Sequence, residues 1–172
     1  MRKYSARRVA ALGLMLALAS IVFLIESLVP PLLPMAPYVK IGLANCIVMI
    51  VIVCYGAAEA FVFVLAKNLL TALFVGWYAF PFNLAGSIAA YCVMAALYML
   101  LFPKVSLIAV SVAGAIVSNI ARTGVAVLIM EAPSLYVQLP FVCGFSVAAG
   151  IIVGVLTILS IKLLPERLTN GK

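Results

Sequence analysis

Apolar residues run almost without interruption through six stretches of this chain, 9–28, 41–54, 57–75, 83–101, 105–130 and 139–163, and polar positions gather in the gaps between them. None of the stretches alternates apolar with polar residues, so strands of a barrel are excluded, and continuous runs of this length read as helices. The gaps carry helix-ending signals. Prolines 30, 31, 34 and 37 follow the first stretch, Tyr55-Gly56 the second, and Gly76-Trp77-Tyr78 with Pro81 the third. Pro103-Lys104, Glu131-Ala132-Pro133-Ser134 and Pro165 follow the remaining three. The second stretch is short: 14 residues rise ~21 Å against a hydrocarbon core of ~30 Å, so one of its ends meets a wet cavity or a thinned interface. Trp77 and Tyr78 read as part of an interfacial aromatic belt.

Composition turns these helices into membrane spans. With 68% hydrophobic and 9% charged residues in 172, the chain carries more apolar surface than one soluble domain can bury. A bilayer offers no water to backbone N–H and C=O groups, and a helix satisfies them internally. The pattern therefore predicts an all-α membrane protein, a six-transmembrane-helix bundle forming a single domain over 1–172. The first stretch follows Arg2, Lys3, Arg7 and Arg8 and could be a signal peptide or a first span. Its length exceeds a signal core, and Ala17-Leu18-Ala19, which imitates a cleavage site, lies in mid-run, so the span is the preferred reading.

Six spans put both termini on one side. Arg2, Lys3, Arg7, Arg8, Lys104, Lys162, Arg167 and Lys172 then share that side, and only Lys40 falls in a loop opposite. This asymmetry predicts a multi-pass protein of the cell membrane with both termini cytoplasmic. The formal charge of +7 is spread over the ends of the apolar runs, which argues against a nucleic-acid partner. Cys46, Cys54, Cys92 and Cys143 lie inside apolar stretches without metal-site spacing and read as small packing residues. The chain has no His and no Asp, which removes Ser-His-Asp triads, His-ligated haem and Asp-based magnesium sites. Neither a metal nor a cofactor is expected.

Two basic residues are left over, Lys67 in the third stretch and Arg122 in the fifth, each eight positions from the outer helix end and so ~12 Å deep. The acids Glu26, Glu59, Glu131 and Glu166 fall near helix ends, so neither cation has an evident partner. Both could snorkel outward, or both could face a cavity, and an intramembrane cation facing a cavity is a candidate site. Polar neighbours favour the cavity: Asn68 and Thr71 beside Lys67, Ser118 and Asn119 beside Arg122, and Asn45 and Asn83 near the outer ends of their helices. Hydrogen bonding between helices accounts for Ser and Asn but not for two cations. The combination suits an amphipathic anion, because guanidinium matches phosphate or carboxylate. A second feature is a face of small residues on the first helix, Ala10, Gly13, Ala17 and Ser20, which would let another helix approach closely. Gly150 and Gly154 form a GxxxG on the sixth helix, open to either intrachain packing or a partner.

The segments Lys40-Ile-Gly-Leu-Ala-Asn45, Lys67-Asn-Leu-Leu-Thr71 through Gly76, and Ser111-Val-Ala-Gly-Ala115 through Ser118-Asn119 resemble the Gx transporter family. That family also carries the name heptaprenyl diphosphate synthase component I and is similar to the substrate-binding S components of energy-coupling factor transporters. The resemblance covers about residues 10–164. Two positions depart from it: Lys67 stands where the family tends to have Arg, and Ser118-Asn119-Ile120-Ala121-Arg122 where it tends to read His-Asn-x-Gly-Gln.

The resemblance implies capture of a small molecule from the outer side, with a membrane coupling subunit and ATPases as partners and Ala10, Gly13, Ala17 and Ser20 as the docking face. The chain has no phosphate-binding G-x-x-x-x-G-K-[ST] sequence of its own. Its lack of Asp also excludes the aspartate-rich magnesium motifs of prenyl synthases, so no enzyme activity is expected. The alternative is a non-catalytic membrane subunit tied to isoprenoid or quinone metabolism or to extracellular electron transfer.

Overall fold

The computed structural model describes residues 6–30 and 36–163. Pro31, Pro34, Pro165, Glu166 and the basic residues Arg2, Lys3, Arg167 and Lys172, all used above, lie outside them. The described residues form α1 (Ala6–Leu28), α2 (Ala44–Tyr55), α3 (Ala57–Val75), α4 (Phe80–Leu101), α5 (Leu107–Met130) and α6 (Leu139–Leu163). A 3-10 segment, Pro133–Gln138, joins α5 to α6. The expected boundaries hold to within three residues at every helix end. Pro81 proves to lie in the first turn of α4, where its missing N–H has no helical partner to lose. The 3-10 segment was not expected.

Cross-contacts show that successive helices alternate in direction. Arg8 of α1 reaches Tyr55 and Glu59 at the α2–α3 turn, whereas Glu26 of α1 reaches Gly42 and Leu43 before α2. Tyr91 of α4 bonds Ala57 of α3, while Ser87 meets Asn68. Asn83 meets Arg122, and Gly114 faces Met94. Asn119 meets Ser146, and Ile108 faces Gly154. The start of α1 and the end of α6 therefore lie at one end of the bundle, the proximal end. Residues 36–43, 76–79 and 131–138 lie at the other, the distal end.

Five of these helices are long and apolar enough to cross a membrane; α2 is not. At 12 residues it is about 18 Å long. Of its residues all but Val53 and Cys54 are buried, and it touches every other α-helix of the described residues. A helix apolar on all sides belongs in the middle, surrounded by neighbours. The long helices instead expose large apolar side chains, such as Leu14 and Leu28 on α1, Leu73 on α3 and Leu128 on α5. Lipid, rather than a protein core, suits those faces.

The α5–α6 pair packs closely because α6 has glycines at the contact. A Cβ on Gly150 would stand 2.5 Å from Val112 Cα, and one on Gly154 2.7 Å from Ile108 Cα. The GxxxG therefore serves intrachain packing. Gly150→Ala should lower stability in detergent by about 1–3 kcal/mol, because backbone cannot yield to the methyl group. Gly144→Ala on the same helix, with nothing within 4 Å, should be neutral or stabilising in the same thermal unfolding assay.

Candidate functional site

The expected polar residues are buried together toward the distal half of the bundle, with Lys67, Asn68, Thr71 and Asn119 each 1% exposed. Lys67 and Arg122 are turned inward, not outward: each bonds across to α4. The Lys67 ammonium donates to Ser87 Oγ at 3.3 Å, and Ser87 donates in turn to Asn68 Oδ1 at 3.2 Å. Asn68 Nδ2 and Thr71 Oγ1 donate to carbonyls of α3 itself, Val64 O and Lys67 O. Arg122 donates from a terminal nitrogen to Asn83 Oδ1 at 2.7 Å, and its Nε is buried without a partner.

Two expectations need correction. The cations were placed at one depth, but their partners Asn83 and Ser87 are four residues apart on α4, so their heads engage successive turns about 6 Å apart. They were also taken to lack an acid. Glu26 is buried near the end of α1 and lies within electrostatic reach of Lys40, Lys67 and Arg122. Its position near a helix end does not make it exposed, because the segment before α2 folds over it.

That segment also carries the residue that the loop tally set aside. Asn119 Oδ1 accepts from the Lys40 N–H at 3.4 Å, and Asn119 Nδ2 donates to the Lys40 carbonyl at 3.1 Å and to Ser146 Oγ at 2.9 Å. One amide thus pins the Lys40 backbone to α5 and α6. The Lys40 ammonium donates to Ser27 Oγ at 2.6 Å and lies 4.0 Å from the centre of the Phe23 ring. Burial, with the Arg122 charge adding, holds its pKa down to about 8, while Glu26 pulls the other way. Lys40 opens the first motif of the family resemblance, a signal that pointed to it.

Arg122 lines a distal cavity of about 200 Å³ together with Asn83, Lys40, Tyr38, Tyr78 and Phe82. Lys67, Asn68 and Thr71 stand behind it, a turn deeper. Gly86, also missed, makes the arrangement possible: a Cβ there would come within 2.6 Å of Arg122 Nε and 3.0 Å of Ser118 Oγ. Asn45 stands in the first turn of α2 against Gly42. On the opposite side of the molecule, Ala10, Gly13 and Ala17 are exposed, whereas Ser20 is buried and bonds its own helix at Leu16 O. Gly13 also lines a groove of about 450 Å³ between α1 and α3.

The sequence model of the family described as heptaprenyl diphosphate synthase component I matches residues 15–159, well over half of the chain. The chain belongs to that family. The match takes in Lys40, Lys67, Gly86, Asn119 and Arg122, so the whole polar cluster lies within the matched residues. No curated protein matches the chain.

Proposed function

We propose that this family member is a substrate-capture subunit of a membrane transporter, of the kind found in energy-coupling factor systems, and binds a small amphipathic anion at the distal cavity. The observation that carries the reading is Arg122, a buried guanidinium at a cavity that three aromatic rings also line. A guanidinium has five N–H donors and no acceptor, so an anion is its natural complement. Tyr38, Tyr78 and Phe82 offer apolar surface for the body of the molecule. Asn68 is linked to Lys67 through Ser87, Ser118 stands with Arg122 against Gly86, and Asn119 fixes the Lys40 backbone. At about 200 Å³ the cavity is below the common range of ~300–1,000 Å³ for ligand pockets, which favours a compact ligand or the head of a longer one.

The subunit acts without catalysis in this reading, since its only acids are four glutamates and it has no histidine. Energy would come from a coupling subunit and ATPases, with the exposed Ala10, Gly13 and Ala17 as the docking face. The family's description favours a second reading, a non-catalytic membrane partner in isoprenoid diphosphate metabolism. The same cavity would then hold a diphosphate head, and retention of a prenyl diphosphate by the purified protein would distinguish it.

Arg122→Met should weaken binding of the retained ligand about tenfold to a hundredfold, as expected for a charge-assisted contact of roughly 1.5–3 kcal/mol. Lys67→Met, without contact to the cavity, should weaken it less. Unchanged affinity in both and in the double variant, measured by equilibrium binding, would remove the anion site. Gly13→Leu should abolish copurification with a coupling subunit while the protein stays folded and inserted. The termini are cytoplasmic and the cavity faces outward in this reading. A cysteine at position 79 should therefore react with an impermeant thiol reagent in intact cells, and one at 104 should not.

A further inference from the structure

Lys40 occupies a position between two spaces. Its side chain lines the distal cavity beside Arg122, and it also lines a second cavity of about 190 Å³ on the α1 side, with Glu26 and Ser27. Its backbone is fixed by Asn119, so the chain cannot carry the residue away. Its four-carbon side chain is held only by the Ser27 hydroxyl and the face of the Phe23 ring. Both contacts are modest beside a charge-assisted bond to an anion.

The charges around the distal cavity do not balance. Lys40 and Arg122 bring two positive charges to its wall, and none of the described residues lining it is acidic. Glu26 is committed elsewhere, accepting the Gly42 and Leu43 N–H groups at 2.6 and 3.1 Å. A monocarboxylate would leave one charge uncompensated in a poorly hydrated site, whereas a dianion would leave none.

We infer that Lys40 and Arg122 together hold a dianionic phosphomonoester head in the distal cavity, with Lys40 turning from Ser27 to join Arg122. This rests on the capture reading above and names its ligand class. Arg122 supplies a fixed prong, lining the cavity and anchored to Asn83. Lys40 supplies the movable one. The charged groups facing Lys40 are Arg122 from α5 and Glu26 from α1, with Lys67 of α3 behind and the phenols of Tyr38 and Tyr78 on the cavity wall. A lysine held at about 8 is charged at neutral pH and discharges as the pH rises, so the second prong is lost in alkali.

The test uses the full chain in phosphatidylcholine nanodiscs and two probes that share one ring, phenyl phosphate and benzenesulfonate. Phenyl phosphate is a dianion above pH 7, since the second ionisation of a phosphomonoester lies near 6, and benzenesulfonate is a monoanion throughout. By calorimetry at pH 7 the wild-type protein should bind phenyl phosphate about tenfold more tightly than benzenesulfonate, and the preference should fade by pH 9.5. Lys40→Gln should bind both probes alike with no pH dependence over that range. Lys40→Arg should keep the preference at both pH values, because arginine stays protonated. A Lys40→Gln protein that still prefers phenyl phosphate, or still loses it in alkali, overturns the inference. Equal binding of both probes by the wild-type protein also overturns it and leaves the capture reading standing. Binding of neither probe overturns both. Adding phosphatidic acid to the nanodiscs separates the sources of the head group: displacement of phenyl phosphate assigns a lipid, and its absence a soluble ester, with the two-pronged site standing in either case.

Discussion

A short helix buried on all sides has four unpaired N–H groups at one end and four unpaired C=O groups at the other, and no water to satisfy them. In α2 local bonds meet part of this need, from Asn45 and Cys46 N–H to Gly42 and Leu43 O and from Gly56 N–H to Ile52 O, and α1 holds the residues at each end. The Glu26 carboxylate accepts from Gly42 and Leu43 at the start of α2, and the Arg8 guanidinium donates to the Tyr55 carbonyl at its end. An anion at the N-terminus and a cation at the C-terminus also complement the helix dipole. Arg8 in addition bridges to Glu59 at 3.0 Å, tying the first turn of α3 to the same point. α1 therefore brackets the central helix, and every other helix packs around what it brackets.

This bracket sets the site. Because Glu26 holds Gly42 and Leu43, residues 36–43 must pass across the distal end between α1 and α5 rather than project from it. Gly42 adopts φ +81°, which a residue with a Cβ resists, and a Cβ there would also stand 3.0 Å from Asn45 Nδ2. Lys40 is thereby delivered between Ser27 and Arg122. Asn119 then closes the arrangement, giving its amide to the Lys40 backbone where a sheet neighbour would otherwise be needed. The exposed proximal portion of α1, with Gly13 open to its surroundings, lies on the same helix as Glu26.

Helix positions were legible in the sequence because apolar runs and their prolines report directly on lipid-facing length. The polar cluster was legible too, since Lys67, Arg122 and the Asn residues stand out against an apolar background. What could not be read was direction. Equal sequence distance from two helix ends says where Cα atoms lie, but Arg122 extends toward Asn83 and Lys67 toward Ser87, a turn apart. Glu26 and Lys40 were counted as end groups because hydropathy treats a helix end as solvent. Here the chain returns over the end of α1, burying Glu26 and half-burying Lys40. Gly86 gave no signal at all: its role depends on Arg122, 36 positions away, which only the α4–α5 packing brings to it.

Lys67 and Arg122 share a charge but not a task. Arg122 lines the cavity, with one terminal nitrogen bonded to Asn83. Lys67 is enclosed, bonded to Ser87, and offers a ligand nothing but its field. That field is still worth having, because a charge in a dry interior is screened far less than one in water. It also explains why the cation can be lysine: a point charge needs no fork geometry, whereas the cavity wall does. An anion bound between Lys40 and Arg122 would relieve the repulsion among all three cations at once.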